Sequence, residues 1–74
     1  MLRPEALLSY TRAQPFKPFR LKMLSGAVHD IRHPELIRVG RDFFVLFHAT
    51  QPEAPADRFE PLSLVHVEAL SFIN

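Results

Sequence analysis

From Phe19 to Met23 apolar and polar side chains alternate with a period of two, and a Ser25-Gly26 pair follows midway through a stretch that runs to Ile31. Phe19, Leu21 and Met23 fall on one side and Arg20 and Lys22 on the other, the pattern of a half-buried strand. Ser25-Gly26 is a turn signal, so the stretch predicts a β-hairpin. Two loop lengths compete. A two-residue loop pairs Leu24 with Ala27 and turns Asp30 towards the face of Leu21 and Met23. A three-residue loop, Leu24-Ser25-Gly26, pairs Met23 with Ala27, Leu21 with His29 and Phe19 with Ile31. A slip of one residue exchanges the two faces, and an unpaired buried carboxylate is expensive. The three-residue loop is therefore expected, with its glycine in the left-handed region. It leaves Asp30 in solvent beside Arg20 and Lys22, and it puts His29 on the apolar face.

Upstream, Pro4 to about Gln14 predicts a short helix. Proline suits a first turn, Glu5 the positive end of the helix dipole and Arg12 the negative end. Leu7, Leu8 and Thr11, extended by Ala6 and Tyr10, form a stripe that must dock on something. Pro15 ends the helix, and Pro15-Phe16-Lys17-Pro18 is a stiff connector. Downstream, His33-Pro34-Glu35 breaks the second hairpin strand, and Leu36–Val39 resumes as a short one. Gly40-Arg41-Asp42 is a turn. Ala49–Asp57 is a polar loop with two prolines. Arg58-Phe59-Glu60 begins a strand limited by Pro61, and Leu62–Val65 is a single helical turn. His66–Ile73 closes the chain as a strand, with Val67, Ala69 and Ser71 on one face and Glu68, Leu70 and Phe72 on the other.

Phe43–Phe47 is apolar at every position, so it must be covered on both faces. One face can meet the core and the other the helix or a neighbouring subunit. Phe44 and Leu46 are the expected oligomer interface. The expected architecture is mainly β: a single domain over 1–74, with a helix over 1–14, a connector over 15–18 and about five short antiparallel strands over 19–74. Closing those strands into a small SH3-like or Sm-like barrel would remove exposed edges. An open sheet with the helix on one face is the alternative.

Composition sharpens the case for self-association. Seventy-four residues support only a small core, yet 47% are apolar, including seven Phe. There is no cysteine, hence no disulfide and no thiolate metal site, and a reducing cytoplasm is the simplest setting. No secretory signal or membrane-length apolar run is present, so no membrane partner is expected. Net charge is +1, but residues 1–41 carry +5 and residues 42–74 carry −4. Either the basic half binds nucleic acid, or the halves attract one another within a chain or between neighbours. Arg20, Lys22, Arg32, Arg38 and Arg41 are the candidate contacts to nucleic acid or to another partner.

Reaction chemistry finds little support. His29 and His33 stand four apart on a strand rather than a helix, His48 and His66 are isolated, and no metal or other cofactor is expected. Carboxylates are scattered singly, and the only glycines, Gly26 and Gly40, allow neither a nucleophile elbow nor a phosphate-cradling loop. An enzyme is not expected.

Two resemblances follow from these residues. Gln14-Pro15-Phe16-Lys17-Pro18-Phe19-Arg20-Leu21, then Gly26, His33-Pro34-Glu35-Leu36 and Val39-Gly40, resemble a family of short bacterial proteins with no assigned function. The order of elements, with Met23-Leu24-Ser25-Gly26 and Phe44-Val45-Leu46 on strands, is similar to the Sm-like fold of the Hfq type. That resemblance implies edge-paired rings and RNA binding. The family's Lys-His pair has only Val65-His66 near its place, so its RNA-contacting residues are not carried over. The expectation is a non-enzymatic β-barrel module that self-assembles and meets a protein partner, with an Sm-like RNA-binding ring as the alternative.

Overall fold

The hairpin forms with the three-residue loop. In the computed structural model, which describes residues 2–48 and 57–73, β1 (Phe19–Met23) pairs antiparallel with β2 (Val28–Ile31). Phe19 lies opposite Ile31 and Leu21 opposite His29. The Met23 N–H donates to Ala27 O at 2.8 Å and the Gly26 N–H to Met23 O at 2.9 Å. Gly26 has φ 95°, a conformation that costs other residues energy. Phe19, Leu21 and Met23 are buried while Arg20 and Lys22 are exposed.

A 3-10 turn at Pro34–Leu36 interrupts the path, and β3 (Ile37–Val39) follows. The Gly40 N–H donates to Phe43 O at 2.7 Å, closing the expected turn into β4 (Phe43–His48). Next comes β5 (Arg58–Ser63), which runs through Pro61 rather than stopping there. It is an edge strand, and a proline on an edge leaves its bare nitrogen facing away from the ladder. The helical turn expected at Leu62–Val65 forms slightly later, at Leu64–His66, where Ser63 Oγ accepts from the Val65 N–H. The last strand is β6 (Val67–Phe72). The polar loop expected over Ala49–Asp57 lies outside the described residues except for Asp57.

Hydrogen bonding divides the strands into two antiparallel sheets of three, ordered β2-β1-β6 and β3-β4-β5. The alternation expected in the last strand needs correcting. Met23 pairs with Val67 but Lys22 with Ala69, so Glu68 is the extra residue of a bulge. The inward set becomes Val67, Leu70 and Phe72, and Ala69 and Ser71 turn outward. A period-two reading cannot see such an insertion.

The inner faces of both sheets share one core: Phe19, Leu21, Met23, Ile31 and Val67 from the first, Ile37, Phe44 and Leu46 from the second, with Leu64 and Leu7. Leu7 comes from α1 (Pro4–Thr11), which ends before Gln14. Thr11 Oγ1 and the Arg12 N–H both donate to Leu8 O, closing the last turn early. Tyr10 seats the helix, its ring 5.2 Å from Phe19 and 4.9 Å from Phe72 between centroids. No helix is long and apolar enough to cross a membrane among the described residues.

Candidate interaction surface

The five basic candidates do not share one surface. Arg20 and Lys22 alternate outward on β1, and Arg32 follows β2. Each meets an acid. Arg20 lies directly across from Asp30 and holds it with two bonds, Nε to Oδ1 at 2.8 Å and Nη2 to Oδ2 at 3.2 Å. Arg32 Nη2 approaches Asp30 Oδ2 at 3.8 Å, and Lys22 Nζ reaches Glu68 Oε2 at 3.4 Å. The Arg20 hydrogen bond holds the Asp30 carboxyl below the usual carboxylate range against partial desolvation, with help from the charges of Arg20 and Arg32. The same bond raises the Arg20 guanidinium further. Lys22–Glu68 joins the basic and acidic halves within one chain.

Arg38 and Arg41 belong to the other sheet. Arg38 is outward on β3 opposite Val45, and Arg41 is in the following turn. Neither has an acidic partner within ion-pair distance among the described residues.

Phe44 and Leu46, expected at an oligomer interface, are instead core residues. Phe44 is wholly buried and Leu46 is 2% exposed. They are held opposite Val39 and Ile37 on one side and Leu62 and Glu60 on the other. The opposite face of the same strand carries Phe43, Val45 and Phe47. A run without polar residues has no readable phase, and the polar residue that follows it, His48, shares the inward side with Phe44 and Leu46. The neighbouring strands carry the missing signal: Arg38 marks the outward side of β3.

That outward side is an apolar sheet face that the sequence reading did not assign to these residues. Cross-strand partners put Phe47 beside Phe59 and Val45 beside Pro61. Phe59 is 70% exposed and Phe43 50%, while Val45 and Phe47 are half-buried. The Phe43 ring lies over Gly40, where an added Cβ would meet Phe43 Cε1 at 2.8 Å. Gly40 is therefore small because the ring rests on it.

On the inward side, His48 Nε2 lies 3.3 Å from Glu60 Oε1. His29 borders two open clefts between the sheets, one of about 210 Å³ that His48 also lines and one of about 380 Å³ that Glu60 and His66 line. Among the described residues no three His, Asp or Glu side chains gather closely enough to hold a metal ion. No family model, curated protein or solved structure matches the chain.

Proposed function

We propose that the chain is a non-enzymatic interaction module that works by self-assembly. The carrying observation is the outward face of β3-β4-β5, where Phe43 and Phe59 stand exposed beside the half-buried Val45 and Phe47. Apolar side chains grouped on one exposed face mark association surfaces, whereas scattered ones do not. The two sheets are read as halves of a small Sm-like or SH3-like barrel, with β2 and β3 as one interrupted strand and the 3-10 turn at Leu64–His66 leading back to β1. Light scattering on the eluting protein tests the module reading. A mass above that of one chain at micromolar concentration supports it, and a lone chain throughout rejects it.

A second reading, an RNA-binding Sm-like protein, draws on Arg38, which shares a face with three phenylalanines. Cations among exposed rings hold single strands by phosphate pairing and base stacking. Its signature is salt-sensitive binding of a short RNA that an Arg38→Ala variant weakens, and absence of binding at low salt removes it.

A further inference from the structure

From the register of the second sheet we infer that its outward face pairs with the same face of a second copy, about a two-fold axis parallel to β4. This rests on the self-assembly reading and specifies its geometry. Arg38, Val45 and Pro61 stand in one row across the three strands, because Arg38 pairs with Val45 and Val45 with Pro61. Face-packed sheets keep their strands nearly aligned, about 10 Å apart. A two-fold perpendicular to the strands would lay β3 on β3 and set Arg38 against its own copy. A two-fold along β4 lays β3 on the partner's β5 instead. Arg38 then sits over the partner's Pro61, within reach of the partner's Phe59 ring. A guanidinium over an exposed ring is attracted to it, while two like charges in a desolvated seam repel. The charge pattern of this face therefore selects one of the two symmetric arrangements.

The size of the face sets the strength. β4 and β5, six residues each, with the three-residue β3 about 4.8 Å to one side, cover at most roughly 14 by 20 Å. The flat area covered by both copies falls below the standard interface size, so the dimer is a weak one that forms at micromolar rather than nanomolar concentration. Pairing along the edge is the weaker option on β5, because Pro61 offers no N–H in the middle of that strand. A nucleic acid would meet a single outward cation on these strands, Arg38, where backbone binding draws on several.

Sedimentation equilibrium on the whole chain over a wide concentration range provides the test. The average mass is expected to climb from one chain towards two. Phe59→Arg, at a position 70% exposed, sets a cation against the partner's Arg38. It should weaken association by about tenfold or more while circular dichroism stays unchanged. Phe59→Ser adds no charge and should weaken it by less. Adding Arg38→Glu to Phe59→Arg restores an attractive pair and should return the dissociation constant to within about threefold of the parent. If Phe59→Arg associates like the parent, this interface is wrong although self-assembly stands. Failure of the double variant to recover rejects the axis. A monomer at every concentration removes the reading beneath it. A monomer that binds oligouridylate through Phe59 gives the face to nucleic acid and overturns the proposal.

Discussion

The sheet β2-β1-β6 turns Arg20, Lys22, Asp30, Ala69 and Ser71 to solvent, while β3-β4-β5 turns out Phe43, Val45, Phe47, Phe59 and Pro61. Both use the same alternation and share one core, so the difference lies wholly in the outward positions. The first sheet is complete within the chain: its cations are matched by Asp30 and Glu68. The second leaves rings and one arginine unmatched among the described residues. The five candidate cations of the basic N-terminal half therefore do not make one basic face. Charge counted along a sequence and charge available to a partner are different quantities, and cross-strand register converts one into the other.

The sharpest way to break this contrast compares Phe44 with its neighbour Phe43. Phe44→Ala empties a wholly buried site and should cost about 3–5 kcal/mol, enough to unfold much of the population in a small domain. Phe43→Ala, half exposed, should cost the isolated chain about 1 kcal/mol or less. Urea midpoints of the two variants read the difference directly, and equal losses would mean that the faces are misassigned. Gly26→Ala tests the hairpin that sets the register of the first sheet. Its φ of 95° is strained for alanine, and a loss of about 1 kcal/mol is expected by the same measurement. Gly40→Ala should push the Phe43 ring aside at a cost of about 1 kcal/mol or less, because the ring is half free to swing. A changed environment for the Phe43 ring protons by NMR would report it.

The smallest effect concerns the first sheet's own charges. Asp30 has a folded pKa below its unfolded value, so its contribution is fully present above the ordinary carboxylate range, about pH 4. That contribution fades as pH falls through the depressed folded value. Asp30→Asn should remove it, so the stability gap between parent and variant is widest near neutrality and closes in acid. A gap that widened in acid would contradict the Arg20–Asp30 pairing. Both groups are solvent-accessible, which keeps this effect below the others.

Much of the first sheet was legible in the residues themselves. Asp30 could not face inward and Gly26 could take a left-handed turn, and these two facts settle loop length and register. The second sheet resisted because Phe43–Phe47 has no polar residue to set its phase. The strand through Pro61 was missed because edge position is a property of topology. The short helix reflects Thr11 and Arg12 meeting at one carbonyl, a local bond that apolar spacing does not encode. As a result the candidate surface was legible as a segment but not as a set of side chains.

The extra residue at Glu68 governs more than its own strand. It lets Val67 and the pair Leu70 and Phe72 lie on the same side of the sheet although an odd number of steps separates them. Were the strand to pair without that bulge, with Glu68 opposite Lys22, Ala69 and Ser71 would stand where Leu70 and Phe72 now do. Tyr10 would lose one of its two ring neighbours, and the N-terminal helix, too short to persist alone, would lose much of its footing. A one-residue slip in the final strand thus reaches the opposite end of the chain.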